Sequence, residues 1–292
     1  MPNRQDKSSE NHQHSGALFI VATPIGNLGD ISQRAIDTLK TCDYIAVEDS
    51  RHSQHLLNHF SIKKPLIAYH DHNERQKANE VIGLCQQGSN LALISDAGTP
   101  LISDPGYQLV KLAHQNGIKV IPIPGACAAI SALSASGLAS DRFTFEGFLP
   151  AKKTAREAKL SQLSTESRTL IFYESTHRIL DSLESMKLCL GASRNVTLAK
   201  EISKSFESII LGTFAEIIAW LNAEQGRTKG EFVILIEGSE ISSSSSSLPD
   251  DEQLMLRLLE DISLKKAAHL AADLTGKGKN HFYQLGLTLN TH

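Results

Sequence analysis

Leu91-Ala92-Leu93-Ile94-Ser95-Asp96-Ala97-Gly98-Thr99-Pro100-Leu101-Ile102-Ser103-Asp104-Pro105-Gly106 turns an apolar run directly into a loop of small residues, turn formers and two carboxylates. Leu91 to Ile94 reads as a buried strand and Tyr107 to Ala113 as the start of a helix. The loop therefore lies at the carboxyl end of a strand, where open α/β sheets bind their ligands. A nucleotide-like ligand is the first expectation.

Other short apolar runs spread outward from this stretch. Leu18 to Ala22, Tyr44 to Val47, Leu66 to Tyr69 and Val120 to Ile123 read as further strands, alternating with helical patterns. That alternation predicts a mostly parallel sheet covered by helices. Between the first two strands, Asp30 ahead of the Ala35, Ile36, Leu39 stripe marks a helix start, with its carboxylate available as a cap. In the second half, Phe143 to Gly147, Thr169 to Tyr173, Val196 to Ala199, Ser208 to Gly212 and Phe232 to Glu237 predict a mixed sheet.

The chain has 292 residues, about twice a typical domain. Five segments are expected: a polar, disordered leader over 1–16; an N-terminal α/β domain over 17–125; a C-terminal one over 126–238; a serine-rich linker over 239–249; and a helical unit over 250–292. The boundary falls near Gly125, before the small-residue run Ala126 to Leu138, which suits a closely packed helix at a junction. In the last unit, Leu254, Leu258, Leu259 and Ile262 form one helical stripe. Ala267, Ala268, Leu270, Ala271 and Leu274 form a second that ends at Gly276, and Phe282, Tyr283 and Leu285 mark a third segment. Four lysines against one aspartate from Ile262 onward suit a helix-turn-helix unit, with a solvated helical appendage as the alternative.

A net charge of −3 gives the chain no overall basic field, so a nucleic-acid surface must be a local patch. Cys42, Cys85, Cys127 and Cys189 are scattered without a close pair, and no signal peptide or bilayer-length apolar run is present, which points to the reducing cytoplasm. No metal site is expected. His70-Asp71-His72 has the residue types, but adjacent strand residues alternate faces and a fourth ligand is lacking.

Chemistry must then come from the loops. Thr23 to Asp30 follows the first strand with two glycines, yet lacks GxGxxG, the P-loop pattern and the glycine-rich first loop of common Rossmann-type methyltransferases. Hydride transfer and phosphate cradling are disfavoured. Glu48-Asp49-Ser50-Arg51 ends the second strand, with a surface ion pair as the competing reading. Phe172 to Arg178 and Lys200 to Lys204 add polar strand exits, and Gly230 enters the last strand where a glycine leaves room for something bound nearby.

The blocks TPIGNLGD (23–30), VEDSR (47–51), SDAGTPLISDPG (95–106), IPGACAAISAL (123–133), GFLP (147–150), FYESTHR (172–178), KEISK (200–204) and GEFV (230–233) together resemble the tetrapyrrole methylase superfamily, and more closely its branch acting on ribosomal RNA. The match spans Gly16 to Gly238, and eight blocks in order are far more specific than any one. The tail resembles that branch's terminal helix-turn-helix module more weakly.

The resemblance implies two α/β domains of the tetrapyrrole methylase type, a cleft between them for S-adenosylmethionine, a small C-terminal helix-turn-helix-like unit and a homodimer. By position it implies cofactor contacts at Pro24, Asp96, Gly98, Ile102, Ser103, Cys127, Ala128, Tyr173, Glu174, Ala199 and Gly230. Cys127 is a departure, since a serine is expected there and a thiol only weakly replaces its hydrogen bond. The implied reaction is methylation of the ribose 2'-hydroxyl of a cytidine in the decoding region of 16S rRNA, on naked RNA or the small ribosomal subunit. A ribose hydroxyl needs a proton acceptor and alignment, for which Glu48, Asp49, Lys200 and Glu201 are candidates, with Arg51 and Arg178 holding phosphate or orienting a carboxylate. A structural Lys200–Glu201 ion pair is the competing reading. Alternative functions are a porphyrin-type methylase, which the RNA-suited blocks disfavour, and a non-enzymatic RNA-binding protein, which would not need so many carboxylates at strand exits.

Overall fold

The computed structural model describes residues 15–70, 73–239 and 251–289. They form two compact units, divided after Gly238. Most of the leader, the serine run, Asp71 and His72 lie outside the described residues. Gly16 is inside the fold: its N–H donates to Cys85 O at 2.8 Å, and Ser89 O occupies the space a Cβ would need.

In chain order the first sheet comprises β1 (Ala17–Val21), α1 (Gln33–Thr41), β2 (Tyr44–Val47), α2 (Ser50–His59), β3 (Leu66–Ala68), α3 (Glu74–Gln86), β4 (Leu91–Ile94), α4 (Tyr107–Gln115) and β5 (Lys119–Ile123). Its strand order is β3-β2-β4-β1-β5, every pair parallel. All four residues of β4 are buried because helices cover both faces. Leu91 and Leu93 pack with Ala78, Val81 and Leu109 of α3 and α4, while Ala92 and Ile94 pack with Ala35, Leu39 and Leu57 of α1 and α2. A sheet buried on both faces sends its strand-exit loops to one shared edge.

One local expectation is corrected. Ser32, not Asp30, caps α1, its Oγ accepting from Ala35 N at 3.1 Å. Asp30 closes a single 3-10 turn, Leu28–Asp30, that Asn27 caps. The extra turn moves the helix start two residues on and frees the Asp30 carboxylate.

The second sheet follows α5 (Ala128–Ala135) and comprises β6 (Phe143–Phe148), α6 (Lys153–Gln162), β7 (Thr169–Ser175), α7 (Ile179–Leu190), β8 (Asn195–Lys200), β9 (Ser208–Thr213), α8 (Phe214–Asn222) and β10 (Glu231–Ile236). Its order is β6-β7-β10-β8-β9, with β6 and β7 parallel and the other pairs antiparallel, the mixed sheet expected. One face carries a large core from Leu160, Leu183, Met186, Ile217 and Leu221 of α6, α7 and α8. Among the described helices the other receives α5, whose Ala129 and Ala132 allow close approach to Ile171, Ala199 and Val233. That thin cover leaves the upper part of this face open.

The second unit is a three-helix cluster, α9 (Asp251–Asp261), α10 (Leu264–Thr275) and α11 (Lys279–Leu289), closed around Met255, Ala268, Ala271 and Phe282. Gly276 ends α10 in the left-handed conformation at φ 71°. Gly286 sits inside α11 because Leu264 and Met255 fill the space of a side chain. Asp251 binds both Lys277 and His281, which lowers its carboxyl pKa and ties the start of α9 to the turn between α10 and α11 and to α11 itself.

Candidate functional site

The parallel first sheet delivers the loops after β1, β2 and β4 to one edge. The loop after β4 is held in unusual backbone: Gly98, Leu101, Ser103 and Gly106 have φ of 83°, 74°, 70° and 132°. Two of these carry side chains, a conformation that costs roughly 1–3 kcal/mol each and persists only where the surroundings enforce it. The enforcement is visible. Thr23 N–H donates to Gly98 O at 2.8 Å and Gly98 N–H returns to Thr23 O at 3.1 Å, stitching the first loop to the third. Thr99 Oγ1 donates to Ala126 O at 3.0 Å, and Asp49 N–H donates to Asp96 Oδ1 at 3.2 Å.

The opposite wall is made from side chains on one face of the second sheet. Pairing places Tyr173, Val233 and Ala199 in one row across β7, β10 and β8, on the face that α5 covers. Tyr173 Oη accepts from Ala129 N at 3.1 Å, anchoring the start of α5. Burial, with the nearby Cys127 thiol, pushes its phenol far up, so it stays neutral. Cys127 occupies the cap position of α5 without a side-chain cap bond, as expected of a thiol.

Two strand ends are pinned behind this row. Glu174 is buried, accepts from Ser175 N and Ser182 Oγ at 2.8 and 2.6 Å, and pairs with Arg178 at 2.7 Å. Thr176 Oγ1 receives Gly230 N–H and donates to Gly230 O, both at 2.8 Å. Gly230 sits at φ 112°, and the space a Cβ would need is taken by the Glu201 carboxylate. The room predicted at this glycine is thus filled from within the chain.

Across the cleft the first and seventh motif blocks meet. Ser203 Oγ donates to Asp30 Oδ2, and the Lys204 stem lies where a Cβ at Gly26 would go. Lys204 Nζ is held by Glu201 and Glu231 at 2.9 and 2.8 Å. Burial raises the Glu201 carboxyl pKa, but hydrogen bonds from Glu231 N–H and Lys204 outweigh it and leave it below the ordinary value.

Between the walls lies a cavity of about 510 Å³, inside the roughly 300–1,000 Å³ range of small-molecule and cofactor sites. Of the expected cofactor positions, Asp96, Gly98, Ile102, Ser103, Cys127, Ala128, Tyr173, Glu174, Ala199 and Gly230 line it. Pro24 does not; its neighbour Ile25 does. Of the expected catalytic residues only Glu48 lines it. Arg51 stands exposed 3.5 Å from Asp49, which spends its own carboxylate on Arg51 N–H at the start of α2. That bond lowers the Asp49 pKa. Glu201 is committed to the Gly230 turn. Lys200 falls on the sheet face opposite Ala199, since successive strand residues alternate.

Residues not anticipated also line the cavity, among them Phe148, His177, Ile202 and Val233. Val233 was reachable from strand parity alone, as the cross-strand partner of Ala199 and Tyr173. Phe148 was not, because an irregularity in β6 sets its direction.

The chain is an α/β protein whose cleft lies between a parallel and a mixed sheet, walled by strand-exit loops without a dinucleotide or P-loop fingerprint. Comparison with known proteins supplies the class. Residues 17–218 match the family described as Tetrapyrrole (Corrin/Porphyrin) Methylases, and residues 245–290 match the RsmI C-terminal HTH domain. The chain belongs to the tetrapyrrole methylase family. It is 55% identical to ribosomal RNA small subunit methyltransferase I of Haemophilus influenzae, over 94% of this chain and 97% of that protein. The protein of the same name in Escherichia coli O157:H7 is 52% identical over 97% of this chain and 98% of its own length. Among solved structures, uroporphyrin-III-C-methyltransferase of Thermus thermophilus superposes with a TM-score of 0.52 at 16% identity, over 76% of this chain and 94% of that one, a likeness of fold.

Proposed function

We propose that this enzyme transfers the methyl group of S-adenosylmethionine to the ribose 2'-hydroxyl of a cytidine in the decoding region of 16S rRNA. The observation that carries the reading is the convergence of ten separately positioned cofactor residues on one cavity, in a chain whose relatives bear the name of a small-subunit rRNA methyltransferase.

The cavity suits the cofactor. Ala128, Ala199, Ile202 and Val233 offer an apolar wall, while Asp96, Ser103 and the strained backbone after β4 offer polar groups. When bound, S-adenosylmethionine supplies an activated methyl group on a positively charged sulfur. The chain's own part is to exclude water along the apolar wall, hold the ribose hydroxyl in line and accept its proton. Glu48 takes that proton, as the one residue of the expected catalytic set that lines the cleft. Lys200, Glu201 and Arg51 are supporting residues.

The small ribosomal subunit is the partner, and the exposed Lys265, Lys266 and Lys279 of the helical unit supply positive charges for its phosphates that the overall charge does not. A homodimer is supported by exposed Ile130 on α5 and Leu211 on edge strand β9, which share the α5 face. A cytoplasmic location fits this substrate, and no helix among the described residues is long and apolar enough to cross a membrane. We place the boundary between the two α/β domains near Gly125, where β5 has ended and α5 has not begun.

Titration calorimetry with S-adenosylmethionine, paired with mass spectrometry of 16S rRNA from a strain lacking this gene, tests the reading. Binding of the cofactor and loss of one ribose methyl group in the deletion strain are expected. Either result failing overturns it.

A further inference from the structure

β6 contains one irregularity, and it decides where Phe148 points. In a regular strand, Phe145 and Phe148 would face opposite sides of the sheet, being three residues apart. The pairing with β7 slips between Phe145 and Gly147, so that Phe145 lies opposite Ile171 and Phe148 opposite Tyr173. Ile171 and Tyr173 share the α5 face. The bulge therefore turns Phe148 onto the cleft side, and Gly147 at φ 63° makes the turn possible. Bulges of this kind re-aim side chains next to active sites.

Phe148 lines the cavity yet remains 50% exposed, so it is not a core residue. Its ring is held from behind. Tyr173 meets it edge to face at 5.7 Å, and the Arg178 guanidinium lies 6.0 Å from its centroid. Arg178 is itself fixed, donating to Leu149 O at 2.9 Å while paired with Glu174. A rigid aromatic ring with its remaining surface open at the rim is a stacking platform for a flat group that arrives from outside. Enclosed positions such as Ala199 and Val233 face the interior of the cleft instead.

Cations follow four and five residues further along the chain. Lys152 and Lys153 are exposed at the start of α6, where cations oppose the helix dipole and do not stabilise the helix. Lys153 is tethered only loosely, 3.8 Å from Glu157. An aromatic platform against the Arg178 guanidinium, with exposed lysines a few residues along the chain, is the chemistry that holds an unstacked nucleotide, base on ring and phosphate on cation.

We infer that Phe148 stacks the target nucleobase after it leaves the RNA stack, holding its ribose in the cleft. The inference rests on the function proposed above and adds a substrate-positioning residue to it. The test uses the full chain with small ribosomal subunits from a strain lacking the gene, and reads kcat/KM for methyl transfer beside cofactor affinity by calorimetry. Phe148→Ala should lower kcat/KM about tenfold or more, mainly through KM for the subunit, with cofactor affinity unchanged. Phe148→Trp should retain activity and Phe148→Leu should not. Unchanged kcat/KM in Phe148→Ala, a parallel loss of cofactor affinity, or rescue by Leu as good as by Trp overturns the inference alone. An unsubstituted chain that transfers no methyl group overturns the proposed function with it.

Discussion

The two walls of the cleft are built by different means. The first-sheet wall is backbone: four residues at positive φ after β4, clamped by main-chain bonds between Thr23 and Gly98. The second-sheet wall is side chain: a Tyr173, Val233, Ala199 row, stiffened from the rear face by buried Glu174 and its partner Arg178. Parallel strands end together and leave only loops at their shared edge, so the loops must be shaped. Antiparallel strands present their pleated faces, so side chains do the shaping. A wall of the first kind should fail when a Cβ is added, and one of the second kind when a side chain is removed.

The sharpest test separates chemistry from construction. Glu48→Gln should lower kcat by about 10²–10⁴-fold, the ordinary contribution of a proton acceptor, with cofactor affinity unchanged, whereas Lys200→Ala should leave most of kcat intact. Steady-state methyl transfer checks both, and equal losses would move the proton chemistry away from Glu48.

Next in size is Glu174→Ala, which leaves the buried Ser182 hydroxyl and the partly exposed Arg178 without their partner and should cost about 2–3 kcal/mol of stability, measured by urea unfolding. Gly106→Ala should cost roughly 1–3 kcal/mol from strain at φ 132° and from Leu93 and Leu101, which crowd the added methyl. If Gly106→Ala is neutral in the same assay, the first wall is not set by its backbone.

Asp96→Ala removes the acceptor of Asp49 N–H and a carboxylate of the cavity. Cofactor affinity should fall by about tenfold, the value of one charge-assisted hydrogen bond, read by calorimetry, before RNA binding changes. Unaltered affinity would remove the loop after β4 from the cofactor site.

The smallest effect is in acid. The Glu201 carboxyl pKa is lowered in the folded chain, so its stabilising contribution is complete above the ordinary carboxylate range and is lost as pH falls through the folded value. Glu201→Gln should therefore flatten the loss of stability below about pH 4.5, seen in unfolding curves across that range. An unchanged acid slope would mean that the Gly230 turn does not depend on this charge.

Much of this site was legible in the chain. Strand runs such as Leu91 to Ile94 end in loops with Asp96, Gly98 and Ser103, and a parallel sheet puts such loops at one edge whatever the details. Residues at the other wall were less so. Glu201 and Lys200 looked alike as polar groups after a strand, yet one is consumed by a turn and the other falls on the opposite face. Asp30 had the residue type of a helix cap, and a 3-10 turn gave that role to Ser32.

The sequence by itself determined the alternation of strands and helices, the strand-exit motifs and the family, because hydrophobic period and local turn chemistry are written in neighbouring residues. Tertiary structure alone decided which carboxylates reach the cleft, why Gly230 must lack a side chain and which way Phe148 points. Those outcomes depend on packing between residues far apart in the chain, such as Gly230 against Glu201, and on a bulge of one residue that reverses a face.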